Sequence, residues 1–222
     1  MLISIRFCCL VLSLTAAGVG LASCNIVAPA SYLAMGQPKK DAEYQLEDRA
    51  TVVFVDDRRN ILSRTHVRRM IGERVTDDLL REDVISDAIS ANDAIRLARQ
   101  ESHDEPMALD DLGRELGAEQ VIYVEIIDFR SMSDPYTPRP TATGRIRVID
   151  VDNRKRLFPD PDSRDPGRVV QTQTREVSME MYETASGIRE LEEMLAEHLG
   201  TEIGRLFYKH TPREIGSQLE PR

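Results

Sequence analysis

Beyond position 24 the chain has no cysteine: Cys8, Cys9 and Cys24 are the only three in 222 residues. The remainder therefore holds no disulfide, no thiol nucleophile and no cysteine metal site. It must stand on its core alone, which is feasible because about 160 folded residues bury roughly two thirds of their unfolded surface. An excess of basic residues is also missing, since 29 Lys and Arg face 38 Asp and Glu for a formal net charge of −9. Nucleic acid is excluded as a partner on that balance, because phosphate-backbone binding needs clustered cations. After the N-terminal segment no run is long and apolar enough to cross a bilayer, which takes about 20 residues. Neither common Gly-rich phosphate loop occurs, nor a Gly-x-Ser-x-Gly elbow, so nucleotide enzymes and ordinary serine hydrolases have no support.

The remaining candidates for chemistry are sparse, and no cofactor is expected. His66, His103, His198 and His210 lie far apart and lack the paired spacing of a helical metal site. Asp160, Asp162 and Asp165 fall at intervals suggestive of a calcium loop. The helix-loop-helix cage, however, needs oxygens at alternate positions and Glu at the twelfth, where this chain has Arg164 and Gln171. Asp56 and Asp57 close an apolar strand at its carboxyl end, where open α/β sheets often carry ligand groups. The same pair also serves simply to end a strand in solvent. Two acids gathered about 5–10 Å apart in a cleft would serve a tethered hydrolase or carbohydrate-active enzyme, the alternative to a non-catalytic binding module.

What is present begins with Arg6 and an apolar stretch from Phe7 to Leu21, followed by Leu21-Ala22-Ser23-Cys24 and soon by the polar segment 37–49. That pattern predicts an exported chain whose leader, residues 1–23, is removed between Ser23 and Cys24. An ordinary signal peptide with an incidental cysteine shares part of the pattern. The tetrapeptide resembles the lipobox of bacterial lipoproteins. The resemblance implies diacylglycerol on the Cys24 thiol and acylation of the new amine, hence a membrane partner through palmitate-like chains. Two or more acyl chains hold a protein stably on a bilayer where one does so marginally. Asn25, rather than Asp, follows the cysteine; by resemblance to enteric sorting this favours a periplasm-facing outer-membrane location over the inner membrane. Loss of the leader removes Arg6 and no acid, leaving 28 bases against 38 acids.

Residues 24–49 carry Pro29, Gly36, Pro38 and no sustained apolar period, which reads as a tether. A domain over 50–210 and a tail over 211–222 follow. Residues 50–55 predict a β-branched strand. Val67, Met70, Ile71, Val75 and Leu79 recur at helical spacing. Val84 and Ile85 suggest a short strand, 92–100 and 110–116 helices, the latter stopped by Gly117, and 120–128 a strand buried on both faces. A Pro-rich loop spans 131–141. Strand 143–151 sets Ile146, Val148 and Val151 against Arg145, Arg147 and Asp150, with a slip near Ile149. A second Pro-rich loop spans 158–167, a half-exposed strand 169–181 and a helix 188–208. The order β-α-β-α-α-β-β-β-α predicts an α+β fold: one domain of two or three layers, a mixed sheet with helices packed on it.

The run Leu112-Gly-Arg-Glu-Leu-Gly-Ala-Glu-Gln-Val-Ile-Tyr-Val-Glu-Ile and the strand Thr143-Gly-Arg-Ile-Arg-Val-Ile-Asp-Val151 resemble the core of a group of envelope lipoproteins. These are the curli-secretion lipoproteins, the penicillin-binding-protein activators and the N-terminal domain of the Tol-system propeller protein. The resemblance covers 50–208 in element order and implies a docking domain for another envelope protein, without catalytic residues. A pore-forming member would need two membrane hairpins with strands of about 10 alternating residues, and this chain offers only loop 131–141. Tyr136 and Arg139, stiffened by neighbouring prolines, are the interface candidates.

Overall fold

The computed structural model describes residues 38–99, 107–132 and 138–212. Ser23, Cys24, His103 and Tyr136 lie outside them. The chain divides into two compact units, 1–40 and 41–222, and the second carries the architecture. Its elements are β1 (Thr51–Asp56), α1 (Thr65–Arg81), β2 (Ala88–Ile89), α2 (Ala91–Ala98), α3 (Leu109–Leu116), β3 (Gln120–Arg130), β4 (Thr141–Asp150), β5 (Lys155–Phe158), β6 (Arg168–Gln173), a 3₁₀ turn (Met179–Tyr182) and α4 (Ala185–Gly204).

The six strands form one mixed sheet in the order β2-β1-β3-β4-β5, with β6 also on β4. β1 runs parallel to β2 and β3, and β3, β5 and β6 are all antiparallel to β4. Strands β5 and β6 take successive halves of one edge of β4, at Val148–Asp150 and Thr141–Ile146. They amount to a single strand interrupted by the excursion 159–167. Arg156 organises that excursion: its guanidinium donates to the carbonyls of Asp165 (2.7 Å), Asp160 (2.8 Å), Ser163 (3.0 Å) and Pro161 (3.2 Å).

Helices cover both sheet faces, giving three layers. On one face Val67, Ile71, Val75 and Leu79 of α1 and Leu195, Leu199 and Ile203 of α4 pack on Val53, Val55, Ile122, Val124, Ile146 and Val148. On the other, Ala94 of α2 and Leu112 of α3 pack on Val52, Phe54, Val121 and Tyr123. The α1 periodicity read from the sequence is the buried stripe, with Met70 at its margin. α1 and α4 approach closely through Gly200, where a Cβ would lie 2.7 Å from the Arg74 Cβ and 3.0 Å from the Ile71 carbonyl oxygen.

Expectations change at four secondary-structure elements. The strand expected at Val84–Ile85 forms at Ala88–Ile89, because the Val84 amide still closes α1 on the Leu79 carbonyl (2.9 Å) and Ile85 is drawn into the core. Strand β5 was not anticipated, being four residues without clear alternation. The long strand over 169–181 stops at Gln173: the Thr174 and Val177 amides turn to the Pro140 and Pro138 carbonyls, and Ser178 then caps the 3₁₀ turn. The last helix ends at Gly204, although Leu206 and Phe207 remain buried beyond it. The slip anticipated near Ile149 appears as a register irregularity between β4 and β5.

The packed unit also takes in residues 41–49, read above as tether. The Glu43 and Tyr44 amides donate to the Leu206 carbonyl (2.8 and 3.1 Å), the Tyr44 ring lies 5.3 Å from Phe158, and Leu46 is buried. Glu43 pairs with Arg168 (2.6 Å), Arg49 with Asp150 (3.3 Å), and Asp48 accepts from the Ser86 amide (2.7 Å), so polar contacts dock the stretch together with Tyr44 and Leu46. Gly117 adopts φ of 74° at the end of α3, the left-handed cap a side chain resists.

Gly200→Val is expected to destabilise the domain by roughly 1–3 kcal/mol or more, since the added side chain has nowhere to go but into α1. Urea unfolding followed by circular dichroism measures the change; a midpoint equal to that of the unaltered protein contradicts the close packing.

Candidate functional site

The second sheet face is only half covered by helix among the described residues, and its composition changes along the strands. The row Val52, Val121, Ile149 lies toward α2 and α3 and is apolar. The next row pairs Phe54 with Tyr123 and Tyr123 with Arg147. Above it stand Asp56, Glu125, Arg145 and Val169, and beyond a bulge at Ile127 come Asp128, Thr143 and Gln171. Polar side chains on one face of central strands are the alternation expected of a sheet with one face toward solvent.

In the aromatic row the Phe54 and Tyr123 ring centroids are 6.0 Å apart. Each ring carries a guanidinium: Arg68 of α1 lies 5.3 Å from the Phe54 centroid and Arg147 lies 4.6 Å from that of Tyr123, within the range of cation–π attraction. Arg68 also donates through Nε to the Val55 carbonyl. Burial lowers its pKa even though Asp56 and Asp57 act to raise it.

Asp56 is 5% exposed and accepts from the Tyr123 hydroxyl and from Arg58 Nε, both at 2.7 Å. Burial raises the Tyr123 pKa well above its ordinary value, and the bond to the Asp56 carboxylate adds to the shift. Beside it, Glu125 accepts from Arg145 at 3.0 Å. Asp56 and Glu125 are register partners on neighbouring strands, the nearest thing to the paired carboxylates of a hydrolase. Each is engaged by an arginine, Arg58 and Arg145 respectively.

The sequence candidates are placed as follows. Asp57 is a loop cap, accepting from the Ile61 (2.8 Å) and Leu62 (2.9 Å) amides. Asp160 and Asp165 cap their own loop through the Asp162 and Gly167 amides. Arg139 pairs with Glu176 at 3.7 Å. His66 lies beside Arg69 and Glu193, while His198 is buried within α4. No group of three or more His, Cys, Asp or Glu residues able to hold a metal occurs among the described residues. An open cavity of about 290 Å³ is lined by Ile61, Ser63, Phe129, Arg130, Ser131, Met132 and Glu192. Its carboxylate, Glu192, already accepts from Ser63 (2.7 Å) and Arg64 (3.0 Å).

Tyr123 is one of the aromatics that could include an interface anchor, behind the preferred Tyr136, whereas Arg145 and Arg147 are not singled out from sequence. Tyr123 sits in an apolar run and the two arginines read as the wet side of an alternating strand. The usable signal was that both arginines share one face of β4; what they face depends on the register with β3.

No family model and no curated protein matches the chain. Among solved structures it is similar to the hypothetical protein CT253 from Chlamydia trachomatis, at 18% identity over 71% of this chain and 89% of that one, TM-score 0.39. It is similar to the PelC dodecamer from Paraburkholderia phytofirmans at 12% identity over 80% and 97%, TM-score 0.40. Lipoprotein GNA1162 from Neisseria meningitidis matches at 11% identity over 64% and 92%, TM-score 0.35. Overlaps of this quality do not constrain function.

The raised pKa of Tyr123 has a consequence at alkaline pH. The folded state holds the phenolic proton more tightly than the unfolded chain, so this contribution to stability is complete below tyrosine's ordinary pKa near 10 and is lost as pH rises beyond it. Tyr123→Phe is expected to cost roughly 1–3 kcal/mol at neutral pH, since buried Asp56 loses a donor, and to flatten the fall in stability at alkaline pH. Urea midpoints measured across that range test both effects; parallel pH profiles for the two proteins contradict the assignment.

Proposed function

We propose that the chain is a lipid-anchored protein of the bacterial cell envelope whose folded unit is a non-catalytic docking module for another envelope protein. The observation that carries this reading is Leu21-Ala22-Ser23-Cys24 closing the apolar leader, with the one cysteine positioned to take a lipid. Acyl chains at about 0.8 kcal/mol per buried methylene anchor such a protein when two or more are present. Residues 24–40 would then link the lipid to a unit packed from Asp41 onward, reaching at most roughly 55 Å at about 3.3 Å per residue. No helix among the described residues is long and apolar enough to cross a membrane. Asn25, by resemblance to enteric sorting, would permit transit to the outer membrane, facing the periplasm.

Support for docking rather than catalysis comes from the site itself. Its carboxylates Asp56 and Glu125 are held by Arg58 and Arg145, and two further arginines, Arg68 and Arg147, lie over aromatic rings. Arg and Tyr are the residue types that dominate binding energy at protein interfaces, and fixed side chains lose little entropy when a partner arrives.

Cells fed an alkyne analogue of palmitate should yield labelled protein in the membrane fraction, and Cys24→Ser should carry no label and be released from it. Unlabelled full-length chain in the soluble fraction of cells expressing the unaltered sequence overturns the proposal.

A further inference from the structure

The docking reading says nothing of what docks, and β4 carries an observation that bears on it. Arg145 and Arg147 project from the same face two residues apart, about 6.8 Å along the strand. The Nε of each is buried and has no hydrogen-bond partner, an unusual state for a guanidinium, which presents five donors and accepts nothing. Arg145 spends one terminal nitrogen on Glu125. Among the described residues Arg147 has the Tyr123 ring against it and, in a chain of 38 acids, no carboxylate within ion-pair distance.

Both arginines are fixed in place. Gly167, at φ of 156°, lies under the Arg145 stem, where a Cβ would sit 2.5 Å from the Arg145 Cγ. Tyr123, which orients Arg147, is itself tied to Asp56. The Arg145 side chain remains 27% exposed, and Val169 and Gln171 on the adjoining strand are exposed on the same face.

We propose that Arg145 and Arg147 form a receptor for carboxylate side chains, and that the partner docks an extended acidic segment over them. This rests on the docking reading above and names the partner's chemistry. An extended chain repeats its side chains on one face at the same two-residue interval as β4, so acidic residues at alternate positions match the two guanidiniums. Each carboxylate accepts from the terminal nitrogens of one guanidinium, the buried Nε atoms lying out of a partner's reach. Glu125 and Asp56, interspersed in the adjoining row, favour a partner of singly charged groups set among neutral ones over the denser charge of a phosphate, and they disfavour misaligned acids by repulsion.

The test is isothermal titration of the full-length protein, purified from membranes in detergent micelles, with three probes: a peptide alternating Glu and Val, the same peptide with Gln for Glu, and inorganic phosphate. The Glu peptide should bind, and Arg145→Gln or Arg147→Gln should weaken it about tenfold, the scale of one charge-assisted hydrogen bond. The Gln peptide and phosphate should bind far more weakly. Should Arg147→Gln fail to fold, Arg147→Lys keeps a cation over the ring while losing the planar fork, and should still weaken the Glu peptide severalfold. Equal affinity in variant and unaltered protein, phosphate binding as tightly as the Glu peptide, or no binding of the Glu peptide overturns the receptor. None of these results alters palmitate labelling at Cys24, so the two readings fail separately.

Discussion

The position of β3 between β1 and β4 is the constraint from which the rest of the domain follows. Residues 120–124 of β3 are all buried, and a stretch buried on both sides requires a cover on each. α1 and α4 supply one layer, α2 and α3 the other. Because side chains alternate strictly along a strand, a slip of one residue between β3 and β4 would send Ile146 and Val148 to the wet face and Arg145 and Arg147 into the core. Burying two guanidiniums in that way is far more costly than any register error in a loop. The apolar and charged residues of β4 therefore fix one another's placement.

That register decides the character of the exposed half-face. It sets Arg147 over Tyr123 and Arg145 beside Glu125, neither of which is local in sequence. The bulge at Ile127 shifts the pairing by one residue, so that Asp128, rather than its neighbour, continues the row of polar side chains. Bulges of this kind commonly re-aim side chains at functional surfaces. Across the sheet, the joined strands β5 and β6 close the same edge of β4, and the loop drawn around Arg156 leaves the sheet where Gly167 must pass beneath Arg145. The loop and the arginine face are parts of one local structure.

Much of the fold was legible because burial and periodicity coincide. The Val67–Leu79 stripe and the Gly117 stop each express a single dominant preference, and both appear where the pattern places them; the strand read as buried on both faces over 120–128 is so only over 120–124, with Glu125 and Asp128 on the open half-face. Legibility failed where tertiary contacts outweigh local pattern. The segment 41–49 looked like tether because its contacts with Leu206, Phe158 and Arg168 are all distant in sequence. β5 is too short to show alternation, and the strand after β6 breaks because its amides find proline carbonyls instead of a ladder. At the site, Asp56 was visible as a strand-terminal acid. Arg147 was not, since an arginine on an alternating strand looks ordinary until the strands are paired, and nothing local set Tyr123 apart from the other tyrosines.

The account holds that one face of this domain, the one bearing Arg145 and Arg147, meets another envelope protein. Placing a photo-crosslinking amino acid at exposed Gln171 on that face, and separately at exposed Glu190 on α4, tests this in intact cells. A covalent adduct with a defined envelope protein from position 171, absent from position 190, is the predicted result. Adducts of equal yield from both positions, or none from 171, would contradict it.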